Sequence, residues 1–329
     1  MTKNVKFGIL GCGMIASIHA DAIKNIEGAT LVGVADNNLE FAQKFATKHS
    51  VLAFDSYEQM LGSDIDVVCV CTPSCFHAQN AIDALNSGKH VVVEKPMALS
   101  VEDADRVDEA SKRNGKLVTV ISQLRFSKDV IRLKEYVESG AFGRISLCTL
   151  TMKYYRSKEY FASSNWKGTL KFDGGGALMN QGIHGVDLMQ YVMGGVKSVS
   201  GKIGTLCHSV EVEDTAVATV EFNSGALGVI VASTCAYPGF DRKLEIHGEK
   251  GYAILTENNL EKLMIDGKEV KLDAFEKSNT ASDPTALASA MHQKQIENLL
   301  FAIEGKAQVL VDCSEGKKAV KIITDIYNR

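Results

Sequence analysis

The amino-acid sequence predicts an α/β protein: an N-terminal Rossmann domain with a doubly wound parallel sheet, then an α+β domain with a large, mostly antiparallel open sheet. An apolar strand runs into Gly11-Cys-Gly13-Met-Ile-Ala16 and a helix, and the next strand ends on an acid, Asp36. Strand and helix patterns then alternate as far as Ile121. Beyond Phe126 the helical crossovers give way to strands joined by glycine turns. A chain of 329 residues is long enough for two cores. The change of pattern places the expected domains at 1–125 and 126–329.

Lys6–Leu10 is the first strand, a helix follows to about Ile26, and Leu31–Ala35 is the second strand. A Gly-x-Gly-x-x-Ala run is weak by itself; strand before, helix after and acid at the next strand tip are the context it needs. Gly11 permits the tight turn, Gly13 lets backbone N–H groups approach a pyrophosphate, and Ala16 keeps the helix close to the sheet. Met14 and Ile15 open that helix, whose N-terminus favours an anion. Asp36 can accept both ribose hydroxyls. A 2′-phosphate would meet its carboxylate, and Asn37 and Asn38 offer no positive charge, so NAD is expected over NADP. Strands at Asp66–Cys71, Lys89–Glu94 and Lys116–Ile121 alternate with helices at Phe76–Asn86 and Val101–Asn114, as in a parallel sheet. Ligands bind outside the carboxyl ends of such strands. Thr72-Pro73-Ser74 and Glu94-Lys95-Pro96 lie at that edge.

In the second half a helix at Lys128–Ser139 leads into strands Ile145–Lys153, Val196–Leu206, Thr215–Phe222, Ala226–Cys235, Arg242–His247 and Tyr252–Thr256. Period-2 alternation with glycine turns indicates antiparallel pairing. Asp273–Ser289 is weakly patterned, and helices at His292–Glu304 and Ser314–Tyr327 close the chain. One stretch stands apart, from Asp173 through Gly174-Gly175-Gly176 to Asn180, His184 and Asp187. At helical spacing these three polar residues share a face. A polar stripe with a histidine, behind three glycines, is poor packing material and good site material. A broad sheet with helices on one side leaves a face to cover. The strand Ala226–Cys235 is apolar on both alternations, so a homodimer or homotetramer through the open sheet is expected.

Composition narrows the function. With 45% hydrophobic and 23% charged residues and a net charge of −4, the chain has no basic surface for nucleic acid. Its apolar runs are short of a membrane span. The eight cysteines include no CxxC pair, and a strand begins within a few residues of Met1, so reduced thiols in a cytoplasmic protein are expected. Cys71, Cys75 and His77 lack a fourth ligand candidate, and no metal is expected. Arg125 is expected to line a ligand cleft and Arg156 to lie on the surface. Of the consecutive pair Tyr154 and Tyr155, one side chain can face a ligand. Trp166 is either a core plug or a substrate wall, and Glu211, Glu213 and Asp214 read as a solvated turn.

Four motifs in this order carry a resemblance to the glucose–fructose oxidoreductase / inositol dehydrogenase (Gfo/Idh/MocA) family: Gly11–Ala16, Thr72-Pro73 with His77, Glu94-Lys95-Pro96, and the Gly-rich block ending in His184 and Asp187. It spans essentially the whole chain and is specific for fold and cofactor, less so for substrate. It implies that Thr72, Pro73, His77, Glu94 and Lys95 border the NAD site, with Pro96 fixing the strand end, often by a cis peptide in family members. It also implies that His184 faces Lys95 across a cleft. Many members carry an acid four residues before this histidine; here that residue is Asn180. An amide cannot relay a proton, so Asn180 is expected to hold a substrate hydroxyl or orient His184. Tyr154-Tyr155-Arg156 and Asn165-Trp166-Lys167-Gly168-Thr169 resemble the branch acting on sugars and nucleotide sugars.

Hydride transfer from a secondary alcohol needs a nicotinamide face, a base and polarisation of the developing alkoxide. Histidine titrates near neutral pH, and a lysine ammonium stabilises an alkoxide or, desolvated, accepts a proton. Lys95 is expected in direct contact with the reacting oxygen and His184 as its proton-handling partner, with Asn180, Arg125, Tyr154, Tyr155 and Trp166 around the substrate. The expected activity is an NAD-dependent dehydrogenase of a sugar, glycoside or nucleotide sugar. An inositol or polyol dehydrogenase, a glycosidase that retains NAD, and a non-catalytic NAD-bound regulator are the alternatives.

Overall fold

The computed structural model describes residues 4–163, 166–272 and 289–328. They form two compact units. The first comprises the chain up to Gln123 together with a later segment that ends at Lys317. The second runs from Leu124 and regains the chain from Lys318 onward.

In the first unit β1 (Val5–Leu10), α1 (Met14–Lys24), β2 (Ala29–Ala35), α2 (Leu39–His49), β3 (Leu52–Ala53), α3 (Tyr57–Leu61) and β4 (Val67–Val70) are followed by α4 (His77–Asn86), β5 (His90–Val93), α5 (Val101–Asn114) and β6 (Val118–Val120). All six strands are parallel, in the order β3-β2-β1-β4-β5-β6. The order reverses between β1 and β4, the switch point where a doubly wound sheet opens a crevice. The segment from Leu39 to Leu61 carries α2, β3 and α3, elements beyond those expected from the sequence. Its strand is two residues long, too short for a period-2 signal.

The second unit holds α6 (Lys128–Glu138), β7 (Ile145–Lys153), α7 (Lys158–Ala162), α8 (Leu170–Asp173), α9 (Ile183–Val192), β8 (Val196–Gly204), β9 (Thr215–Phe222), β10 (Leu227–Ser233), β11 (Lys243–Gly248), β12 (Gly251–Thr256), β13 (Asn259–Ile265) and β14 (Lys268–Glu269). Its eight-stranded sheet has the order β14-β13-β12-β11-β7-β10-β9-β8. The pair β7–β10 is parallel and the others are antiparallel. In β13 the charged pair Glu261-Lys262 breaks the apolar alternation, which hides it from a period-2 reading. Leu150, Ile230, Leu244 and Val220 of the sheet pack with Val130 and Leu133 of α6 and Val186 and Met189 of α9.

The last helices are α10 (Ala290–Ile303) and α11 (Cys313–Tyr327). The expected second domain took in everything after residue 126, but α10 and the start of α11 cluster with the first unit. Ile296 and Leu299 join the core of Phe7, Ile9, Ala20 and Val92. Gln295, fully buried, donates to Thr119 Oγ1 and Val120 O and accepts from Ser122 N. Among the described residues no helix is long and apolar enough to cross a membrane.

The helix α9 departs from the expected polar stripe. Asn180 precedes it, and of its ten residues only His184 and Tyr191 are not buried. Asp187 is paired with Arg125: Nε donates to Oδ2 at 2.8 Å and Nη2 to Oδ1 at 2.6 Å. The guanidinium also lies 4.4 Å from the Tyr191 ring centroid. Arg125 is fully buried, which corrects the expectation that it contacts substrate. Removing one partner of a buried ion pair strands the other charge. Arg125→Met should therefore lose about 3–5 kcal/mol in chemical denaturation. Arg125→Met/Asp187→Leu should recover most of it; equal losses in the two variants would refute the pairing as the cause.

Candidate active site

The cofactor-side residues surround the carboxyl ends of β1, β4 and β5. Gly11 has φ +91°, and a Cβ there would lie 2.7 Å from Cys71 O, so only glycine lets this turn pass the end of β4. Gly13 caps α1 without a side-chain bond, and a Cβ on it would meet no heavy atom within 4 Å. That is open space beside helix N–H groups, with Met14 exposed and Ile15 half-buried next to it. Asp36 is half-buried just past β2. Its Oδ2 accepts from Cys12 N at 2.8 Å and its Oδ1 from Asn38 N at 2.9 Å. Each oxygen is thereby oriented and keeps lone-pair capacity for a ribose hydroxyl. The residues present fit a dinucleotide.

Glu94 and His77 brace the neighbouring loops. Glu94 is buried; its Oε1 lies 2.8 Å from His19 Nε2, and its Oε2 accepts from Lys95 N at 3.1 Å. His292 of α10 stands 3.9 Å from the same Oε1. Burial would raise the Glu94 pKa, but the His19 hydrogen bond and the charges of His19, His292 and Lys95 hold it well below the carboxylate range. His77, expected at the cofactor, is buried, with Nδ1 2.7 Å from Pro96 O and Nε2 2.7 Å from Thr72 O. It ties the loop after β4 to the loop after β5. Both ring nitrogens face carbonyl oxygens. Thr72 Oγ1 accepts from Asn80 Nδ2 at 3.0 Å, with Pro73 following it. The Lys95–Pro96 peptide is cis, and Lys95 is half-buried at the end of β5.

In the second unit, the three glycines have an internal reason. Gly174 ends α8 in the left-handed region at φ +70°. A Cβ on Gly175 would lie 2.2 Å from the Tyr327 hydroxyl, and one on Gly176 would lie 2.0 Å from Glu213 O. Glu213 is buried rather than solvated, accepting from Gly176 N, Leu178 N and the Tyr327 hydroxyl. Burial raises its pKa, and those bonds oppose the rise. Asp214 is buried too and accepts from the N–H groups of Leu206, Cys207 and His208. Against its burial, these bonds lower its pKa to about 2. The acidic turn is thus a clasp. Only Glu211 matches the solvated reading in part, accepting from Leu170 N at an exposed position.

Around Asn180 lies a polar network. Asn180 Nδ2 donates to Asp173 Oδ1 at 2.6 Å, and Gln181 Nε2 donates to Asn180 Oδ1 at 2.7 Å. Arg156, expected on the surface, is buried and donates from Nε to Gln181 Oε1 at 2.9 Å. Tyr154 is buried in the core, so of the tyrosine pair Tyr155 is the outward one; its ring meets that of the exposed Tyr237 edge-on at 5.2 Å. Trp166 is half-buried with Lys167 Nζ 5.9 Å from its ring. Asn165 lies outside the described residues. Asp173, Gln181, His19 and His292 carry geometry at these sites that the sequence reading did not assign. A histidine among the alanines of α1 is the one signal that could have flagged His19.

The depressed Glu94 pKa has a sign. Its stabilisation is present above the unfolded carboxyl value of about 4.3 and is lost as pH falls. Glu94→Gln should cost about 2 kcal/mol at neutral pH and remove this component of acid sensitivity. Denaturation across a pH series checks it; parallel profiles for wild type and variant would refute the assignment.

Comparison with known proteins agrees with this architecture. A family model described as the GFO/IDH/MocA oxidoreductase family, NAD-binding Rossmann fold, matches residues 5–122. The GFO/IDH/MocA C-terminal domain model matches residues 130–254. The myo-inositol 2-dehydrogenase of Thermotoga maritima is 30% identical over 256 residues, covering 75% of this chain and 74% of that protein. The D-glucoside 3-dehydrogenase of Escherichia coli is 27% identical, covering 98% of this chain and 94% of that one. The structure of the WlbA dehydrogenase from Bordetella pertussis in complex with NADH and UDP-GlcNAcA aligns with a TM-score of 0.88 at 30% identity, over 99% of this chain and 95% of that chain. The chain belongs to the GFO/IDH/MocA oxidoreductase family, with its NAD-binding Rossmann domain at the N-terminus.

Proposed function

We propose that this protein oxidises a secondary hydroxyl of a sugar, glycoside or nucleotide sugar with NAD as hydride acceptor. The observation that carries the reading is Lys95. It stands at the end of β5 beside a dinucleotide turn, its backbone N–H held by the buried Glu94 carboxylate and its side chain half-buried. An ammonium so placed meets a developing alkoxide, the one charge that hydride loss creates. The glucoside dehydrogenase and the UDP-GlcNAcA complex among the relatives support a sugar or sugar conjugate as substrate.

Bound NAD supplies the hydride acceptor. Gly11, Gly13, Met14 and Ile15 take its pyrophosphate, and Asp36 its adenosine ribose. Asp36 also favours NAD over NADP, because a 2′-phosphate would oppose a carboxylate already fixed by two N–H groups. Lys95 contacts the reacting oxygen, His184 handles its proton, and Asn180 holds a neighbouring oxygen of the ring substrate. Tyr155 and Trp166 offer aromatic faces to sugar C–H surfaces.

A homodimer or homotetramer covers the outer face of the eight-stranded sheet. Register places Leu147, Leu227, Val229, Val231 and Val217 on that face, interleaved with Thr149, Thr151 and Thr219. A monodisperse monomer in light scattering would rule this out.

A panel of cyclitols, hexoses, glycosides and UDP-sugars, followed by NADH absorbance, tests the activity. Turnover with a sugar or sugar conjugate and stoichiometric release of NADH is expected. Lys95→Ala should lower kcat by about 10²–10⁴-fold. Turnover of inositol alone would move the assignment to a cyclitol dehydrogenase, as the relative from Thermotoga maritima is named. A wild-type rate for Lys95→Ala would refute its role.

A further inference from the structure

In the loop between β8 and β9 the chain gathers two thiols and an imidazole around one point. Asp214, buried at the end of that loop, accepts from the N–H groups of Leu206, Cys207 and His208 and so fixes the turn that carries Cys207 and His208. Cys235, just past β10, reaches the same point from the neighbouring strand, with Sγ 3.4 Å from His208 Nδ1. The two sulfurs and a carboxylate oxygen of Asp214 all lie within 4.8 Å of one another. On the far side of the ring, His208 Nε2 stands 2.9 Å from Arg156 O, which can only accept. Nε2 therefore carries the proton, and in the neutral ring the Nδ1 lone pair faces Cys235 and, at 3.4 Å, Asp214 Oδ2. The Phe161 ring packs on the imidazole with centroids 4.8 Å apart. One thiol proton can answer one of these lone pairs; a cation at the centre answers several. Cys207 is exposed, which leaves a way in from solvent.

We propose that Cys207 Sγ, Cys235 Sγ and His208 Nδ1 form a binding site for a thiophilic divalent cation, with Zn²⁺ as the ion of choice. Two thiolates and an imidazole are a ligand set that zinc takes, with water in the fourth position. Sulfur at about 2.3 Å and nitrogen at about 2.0–2.1 Å from one ion stand about 3.6 Å apart on a tetrahedron, and Cys235 and His208 already stand at 3.4 Å. The imidazole is held as ligating histidines are, its other N–H on a backbone carbonyl. Asp214 acts from behind. Its Oδ2 is taken by Cys207 N and His208 N and its Oδ1 by Leu206 N and the Thr215 hydroxyl, so it sets the turn and supplies negative charge rather than a ligand. Binding releases the two thiol protons to solvent, and both sulfurs coordinate as thiolates. Cys235 also pairs with Tyr155 in an isolated antiparallel bridge, so the bound ion would clamp the β8–β9 loop to the segment that carries Tyr155. Cys207 and Cys235 lie too far apart in the chain for a ligand spacing to show in the sequence. The inference is independent of the activity proposed above.

The test is a metal titration of the full chain, reduced with a phosphine and freed of metal with a chelator that is then removed. Co²⁺ should bind at one equivalent and give the intense thiolate-to-cobalt charge-transfer absorption of a sulfur-coordinated ion, and Zn²⁺ should displace it. Cys207→Ser and Cys235→Ser should each weaken Zn²⁺ binding by about 100-fold, while their Tm in chelator stays that of the wild type. Should Cys235→Ser fail to fold, Cys207→Ser, at an exposed position, carries the test alone. A reduced wild-type chain without the charge-transfer band would overturn the site. A band that persists in Cys207→Ser/Cys235→Ser would overturn it too, since the ion would then sit on other thiols.

Discussion

Buried and half-buried carboxylates that accept backbone N–H groups hold the loops of both halves. Asp36 takes Cys12 and Asn38, Glu94 takes Lys95, Asp173 takes Gly168, Glu213 takes Gly176 and Leu178, and Asp214 takes three consecutive residues from Leu206. Loops lack the ladder that satisfies backbone groups in helices and strands, and a buried N–H without a partner is costly. One ionised side chain with two oxygens can satisfy two or three such groups and fix the chain between them. The candidate side chains Lys95 and Asn180 stand on or beside backbone fixed in this way. Lys95 follows Glu94 directly, and Asn180 lies just beyond the segment held by Glu213.

Much of this was legible in the sequence where the cause is local. Gly11, Gly13 and Asp36 announce a dinucleotide turn because the turn, the helix start and the strand tip fall within one strand–helix–strand unit. Most strands of the second half follow from period-2 alternation. The partners of the acids were not legible where acid and N–H lie far apart in the chain, as Glu213 lies from Gly176 and Leu178 and Asp36 from Cys12. Glu213 looks solvated among Glu211 and Asp214 until Gly176 and Tyr327 are brought to it. Arg125 and Asp187 look like site residues for the same reason: each is polar and each stands near a motif, but they neutralise one another in the core. The return of α10 to the first unit was hidden because nothing local distinguishes its apolar face from that of any closing helix.

The two halves arrange their polar groups by different means. The Rossmann unit offers main-chain N–H groups and one carboxylate, a pattern set by the path of the backbone and tolerant of side-chain change around it. The second unit holds the amides of Asn180 and Gln181 between the buried Arg156 and Asp173.

The parallel seam between β7 and β10 has a consequence for how the chain is made. A hairpin can close as soon as its second strand emerges, whereas a parallel pair waits for a long connection. Leu147 emerges long before Leu227, its parallel partner, and before His247 on its other side. Strands β8 to β10 and β11 to β13 can each fold back on themselves during synthesis. The central strand of the finished sheet is the first of its strands to be made, and it must be kept from other partners until both flanking sets exist.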